Sequence, residues 1–182
     1  PPTVYRFLVR QDLSKYDLSK CVRFSTAGEA LNSEVYNKWL EYTGKKIYEG
    51  YGQTESTIIC GNFKDYSEIR PGSMGLPNPL YDVEVLDPDG KPVPRGEIGE
   101  LCIHVEKERP IGLLMGYHKN KELTDAAFEG GVYHTGDNVT QDEDGYVWFV
   151  GRKDDIIKSS GYRISPFEVE SILQQHPAVL EC

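Results

Sequence analysis

The chain has 182 residues, a formal net charge of −9 and a hydrophobic share of 38%, enough for one domain or one plus a fraction around a real core. That negative balance excludes a basic nucleic-acid surface and an electrostatic hold on anionic membrane. No apolar run approaches the ~20 residues of a membrane span, no signal-peptide pattern opens the chain, and the scattered Cys21, Cys60, Cys102 and Cys182 suggest reduced thiols in a cytoplasmic compartment rather than a zinc site.

Residues 22–26 read as a strand. Residues 33–42 follow as a helix with Val35, Tyr36, Trp39 and Leu40 on its apolar face, stopped by Gly44. Lys46-Ile47-Tyr48 begins the next strand. This β-α-β order implies a parallel sheet with ligands at the strand C-terminal ends, where Gly28-Glu29 and the run 51–55 fall. From residue 73 the texture changes to short strands and tight turns: strands at 81–86, 99–105 and 146–150, with turns at Asp87-Pro88-Asp89-Gly90 and Asp142-Glu143-Asp144-Gly145. Neither acidic turn has the twelve-residue ligand spacing of a calcium loop, so both are expected to be solvated. The one helix of this region spans 121–128.

After Arg152 come the charged run Lys153-Asp154-Asp155, the apolar pair Ile156-Ile157 and the turn Ser159-Ser160-Gly161, a hinge-like connection leading into a strand pair. Ser165-Pro166-Phe167-Glu168 then opens a helix to about residue 175, with Ser165 as N-cap, Pro166 at the first helical position and Glu168 closing a capping box.

Three motifs carry chemistry. Glu49-Gly50-Tyr51-Gly52-Gln53-Thr54-Glu55 joins glycines that admit a ligand close to the backbone to an aromatic face, a hydroxyl and a hard carboxylate suited to magnesium. In Tyr133-His134-Thr135-Gly136-Asp137 an acceptor-only carboxylate at a strand end suits a ribose diol. In residues 151–170, Arg152 and Arg163 bring forked donors suited to phosphate or ribose oxygens. Each motif alone is weak; their common order is informative.

With Thr26-Ala27-Gly28-Glu29-Ala30-Leu31, these motifs resemble, across essentially the whole chain, the adenylate-forming superfamily of acyl-CoA synthetases, peptide-synthetase adenylation domains and luciferases. The wording YGQTE and SSGYRISPFEVE is most similar to the medium-chain acyl-CoA and acetyl-CoA synthetase branch. The resemblance implies an α/β fold: a parallel-sheet α/β half-domain over 1–72, a small β-barrel-like subdomain of the same domain over 73–152, and the start of a mobile α+β C-terminal domain over 153–182. It implies an ATP-dependent carboxylate–CoA ligase with ATP, Mg2+ and CoA as cofactors and co-substrates and a small carboxylate as partner.

By the same resemblance, Gly28, Glu29 and Ala30 line the base pocket and Tyr51 stacks on adenine, within the nucleotide-binding run Glu49, Gly50, Tyr51, Gly52, Gln53 and Thr54. Asp137 and Arg152 hold the ribose, Thr54 bonds the α-phosphate and Glu55 holds magnesium. Arg163 sits near the phosphates or acyl group, Asp154 is the hinge, and Ser160, Gly161 and Tyr162 line the CoA channel. The family's Ser/Thr/Gly-rich phosphate loop and its C-terminal catalytic lysine have no counterpart in these 182 residues. A piece of a longer enzyme, inactive by itself, is therefore expected. The alternatives are a non-catalytic nucleotide-binding module or an adenylation domain serving a carrier protein.

Overall fold

The computed structural model describes residues 1–155, 157–159, 162–173, 176, 178 and 179. Helix α1 (Pro2–Leu8) and a single 3-10 turn, Leu13–Lys15, precede strand β1 (Phe24–Ala27), helix α2 (Ser33–Thr43) and strands β2 (Ile47–Gly52), β3 (Ile58–Gly61) and β4 (Leu76–Pro77). Helix α1 has no clear sequence signal beyond its N-terminal proline, since seven residues give too few turns for a periodicity.

The start and stop of α2 follow local chemistry. Asn32 caps it by accepting from Glu34 N at 2.8 Å, and Gly44 ends it in the left-handed conformation (φ 65°). Replacing Asn32 by alanine is expected to cost about 1 kcal/mol, checked as a shift in the urea midpoint. Trp39 of α2 is 2% exposed and meets Tyr5 and Phe24 edge-on, at ring separations of 5.1 and 4.9 Å. Around it Val9, Leu13, Leu31, Tyr36 and Ile47 form the first core.

The expected parallel pair is β1–β2, in the register Ala27 to Gly50. β3 then pairs antiparallel with β2, because only five residues connect them and a parallel neighbour needs a crossover of a dozen or more, and β4 adds antiparallel to β3.

The second sheet is an antiparallel meander of β5 (Val83–Leu86), β6 (Gly99–His104), β7 (Val132–Gln141) and β8 (Val147–Arg152), with helix α3 (Lys121–Ala127) in the β6–β7 connection. The sheet does not close into a barrel. Its inward residues Val85, Leu101, Ile103, Tyr133, Val139 and Val147 pack with Ile59, Cys60 and Met74 into the second core. Cys60 and Cys102 are buried free thiols and Cys21 is exposed.

Two expectations change here. Asp137 does not end its strand: β7 runs on to Gln141, since the meander pairs it on both sides. Asp142 is not a loosely solvated turn residue. It accepts from Arg70 Nη1 (2.7 Å), Trp148 Nε1 (3.1 Å) and Tyr146 N (2.9 Å), and Arg70 also lies over the Tyr146 ring. Helix α4 is described as far as Leu173, and the expected end near residue 175 lies outside the described residues.

Strands β9 (Ile157–Ser159) and β10 (Tyr162–Ile164) form the expected hairpin ahead of α4 (Pro166–Leu173). Half of the capping box is present, Glu168 N donating to Ser165 Oγ at 3.1 Å, while the Ser165 hydroxyl donates to Val150 O of β8. Phe149 and Phe167 meet edge-on at 5.9 Å, so α4 is seated on β8. No described helix is long and apolar enough to cross a membrane.

Candidate active site

The β1–α2 loop, the end of β2, the middle of β7, the end of β8 and the start of α4 converge on a cavity of about 450 Å3. Among the residues expected from sequence, Gly28, Glu29, Ala30, Glu49, Gly50, Tyr51, Gly52, Gln53, Asp137 and Arg152 all line it. Met74, Phe149, Gly151, Asp155, Pro166, Phe167 and Glu170 also line it and were not expected. Most of them fall within the 151–170 motif without an assigned role, and Pro166, Phe167 and Glu170 reach the cavity because α4 packs against β8.

Asp137 is the centre of the arrangement, with its side chain 6% exposed. The alternation of β7 places it on the core face with Tyr133, Thr135 and Val139, an unusual place for a carboxylate unless it is paired. Its partners come from β2, the turn after it and β8. Tyr51 Oη and Gln53 Nε2 (2.8 Å) donate to Oδ2, and Arg152 Nη1 donates to Oδ1 at 3.3 Å. Gln53 is itself fixed, donating to Thr135 O (2.8 Å) and accepting from Tyr133 Oη (2.8 Å). Burial, and then the Asp137 charge, push the Tyr51 hydroxyl well above the usual phenol range, so it stays a donor. The Tyr51 ring is a wall of the cavity while its hydroxyl is committed to Asp137.

Arg152 is held from both sides: Asp154 Oδ1 lies 3.4 Å from its Nε. Burial works against its charge, but Asp137 and Asp154 outweigh that and raise its pKa. Gly136 sits at φ 72°, and a Cβ there would come 3.1 Å from Arg152 Nη2. Glycine thus satisfies both the backbone conformation and the approach of the guanidinium.

Glu49 ties the other wall together, accepting from Leu31 N at 2.8 Å and so bracing the loop that carries Gly28 to Ala30. It is 8% exposed, and burial pushes its pKa up to about 7 against the single backbone bond that lowers it. Glu29 faces α1 instead, accepting from Thr3 Oγ1 at 3.1 Å beside Arg6 Nη2 at 3.4 Å.

Thr54 and Glu55 lie outside the cavity lining, on the turn between β2 and β3. Thr54 is exposed, and Glu55 Oε1 accepts from Tyr117 Oη at 3.0 Å. Asp154 is exposed and, among the described residues, contacts the site through Arg152. Ser160 and Gly161 lie outside the described residues, as do the side chains of Tyr162 and Arg163. The cavity can accept a ligand with hydroxyls facing the Asp137–Arg152 pair and a flat group against the glycine-flanked Tyr51.

The AMP-binding enzyme family model matches residues 1–118. Over 180 residues the chain is 51% identical to the mitochondrial acyl-coenzyme A synthetase ACSM3 of Mus musculus, covering 99% of this chain and 31% of that protein. It is likewise 51% identical over 181 residues to the mitochondrial acyl-coenzyme A synthetase ACSM5 of Rattus norvegicus, with the same coverage. Among solved structures, the anthranilate CoA ligase AuaEII in complex with anthranoyl-AMP superposes with a TM-score of 0.88 at 40% identity, over 100% of this chain and 34% of that one. A benzoate CoA ligase from Burkholderia xenovorans LB400 gives 0.83 at 33%, over 99% and 35%. The chain thus spans about a third of the length of these relatives. Their mitochondrial names overturn the cytoplasmic expectation: a compartment is set by a targeting segment, which the charge and thiols of a folded domain do not report. With the family model spanning well over half of its residues, the chain belongs to the AMP-binding enzyme family.

Proposed function

We propose that the protein to which this chain belongs is an ATP-dependent carboxylate–CoA ligase, and that the cavity holds the adenosine half of the nucleotide. The observation that carries this reading is the buried Asp137 carboxylate, fixed on Oδ2 by Tyr51 and Gln53 and facing Arg152 on Oδ1. A carboxylate and a guanidinium side by side can accept from and donate to a ribose diol. Adenine would lie against Tyr51 between Gly50 and Gly52, with Gly28, Glu29 and Ala30 opposite.

The chemistry begins with the substrate carboxylate. Its oxygen is a poor leaving group, so it attacks the α-phosphorus of ATP and expels pyrophosphate, forming an acyl-adenylate. The thiolate of CoA then attacks the acyl carbon and AMP leaves. Thr54 would donate to the α-phosphate from the exposed turn that leads away from the cavity. Glu55 fits magnesium, which favours one or two hard carboxylates together with phosphate oxygens; the metal would neutralise phosphate charge there. Asp154, the exposed neighbour of Arg152, would be the pivot at which a C-terminal domain begins. Arg163 is assigned to the phosphates or acyl group, and Ser160, Gly161 and Tyr162 to the CoA channel, by resemblance. A mitochondrial location follows the relatives.

The test is isotope exchange between pyrophosphate and ATP by the full-length protein against a panel of carboxylic acids, followed by thioester assay with CoA. Acid-dependent exchange and acyl-CoA formation are expected. Absence of exchange with every acid would end the ligase reading, and exchange with transfer only to a carrier protein would replace CoA as the acceptor.

A further inference from the structure

We propose that Glu100 is a positioning residue for the nucleotide site, because its one carboxylate grips the residue before Asp137 and the residue after Arg152 at the same time. The proposal rests on the ligase reading above. Glu100 lies on β6 opposite Asn138 of β7, beside the register shift between Glu100 and Cys102, and is 8% exposed. Its Oε1 accepts from Gly136 N at 3.0 Å. Its Oε2 accepts from Lys153 Nζ at 3.1 Å and lies 3.1 Å from His134 Nδ1. The two gripped segments also bond each other directly, Lys153 N donating to Gly136 O at 2.8 Å.

A buried charge is retained when it is paired and fully hydrogen-bonded. Burial raises the Glu100 pKa, but the bonds from His134, Lys153 and Gly136 outweigh it and hold the carboxyl below its ordinary value. Cys102 completes a cluster in which ligating atoms of Glu100, Cys102 and His134 lie within 4.8 Å of one another. The Lys153 ammonium, 3.1 Å from Oε2, is a cation facing this carboxylate. Burial pushes the Cys102 thiol up to about 12. None of these groups lines the cavity. Their effect reaches it through the backbone on either side of the 3.3 Å Asp137–Arg152 contact, and Lys153 directly precedes the candidate pivot Asp154.

The experiment uses the full-length enzyme with Lys153→Met, which keeps the stem of a half-exposed side chain and removes its charge, together with Glu100→Gln, the double variant and Lys153→Arg. The expected result is a KM for ATP raised about tenfold in Lys153→Met with a much smaller change in kcat, no further loss in the double variant, and recovery in Lys153→Arg. Amide exchange at Gly136 should quicken in the same variants. An unchanged KM and unchanged Gly136 exchange in Lys153→Met would overturn the proposal. So would losses that multiply in the double variant, since independent effects mean that Glu100 only supports the fold. Gly136 exchange needs no turnover, so it judges the anchor even if the wild-type enzyme makes no acyl-adenylate.

Discussion

Asp137→Ala is expected to lower the ATP catalytic efficiency of the full-length enzyme by about 10²-fold or more. Two charge-assisted hydrogen bonds to the ribose would be lost, each worth about 1.5–3 kcal/mol. The truncation also removes the acceptor of Tyr51 and Gln53 and the counter-charge of Arg152, so the donors that shape the wall of the cavity lose their common partner. Asp137→Asn separates the two effects. It keeps the volume and one acceptor oxygen but not the charge, and should retain the fold while still binding nucleotide poorly. Pyrophosphate-exchange kinetics at varied ATP, with a thermal unfolding scan for each variant, are the measurement. An Asp137→Ala enzyme with wild-type efficiency would remove this residue from the site.

Glu49 gives the second large effect, as a dependence of stability on pH. Its pKa in the fold is about 7 against an ordinary 4.5, so the folded state keeps a proton that the unfolded chain has released. The stabilisation is complete below the unfolded value and is lost as pH rises through the folded one. Wild type should therefore lose about 1.4 kcal/mol per pH unit from this group across the window 4.5 to 7, about 3 kcal/mol in all. Glu100 has the opposite sign: its depressed pKa gives stability that disappears only as pH falls below the ordinary carboxylate range. The windows are therefore separate. Glu49→Gln should flatten the upper one, since the amide oxygen can still accept from Leu31 N. Unfolding free energies at several pH values for both proteins test this. Parallel curves from pH 4.5 to 7 would show that Glu49 is ionised in the fold and that its burial does not govern its proton.

Local signals were legible where the chemistry is local. The apolar spacing of Val35, Tyr36, Trp39 and Leu40 and the Gly44 stop bound α2 within a residue or two. Asp87 and Asp142 each accept backbone N–H groups of their own turns, which any Asp-x-x-Gly run of this kind can do without the rest of the protein. Ser165 caps α4 for the same reason. What was misjudged is where those pieces meet: the continuation of β7 past Asp137 and the pinning of Asp142 by Arg70 from 72 residues away.

The candidate site divides in the same way. Sequence alone determined which residues are chemically equipped: the glycine-flanked Tyr51, the Gly136-Asp137 pair and Arg152, with the β-α-β order that puts ligands at strand ends. Tertiary structure decided what those residues do to one another. Tyr51 and Asp137 are 86 positions apart, Gln53 and Asp137 84, and Glu100 and Lys153 53. Their meeting depends on the registers of β6, β7 and β8 and on the shifts at Glu100/Cys102 and Asn138/Val139. A displacement of one residue in any of these pairings would turn Asp137 from the core face to solvent, and no run of neighbouring residues encodes that choice, because register is set by the packing of a whole sheet face at once.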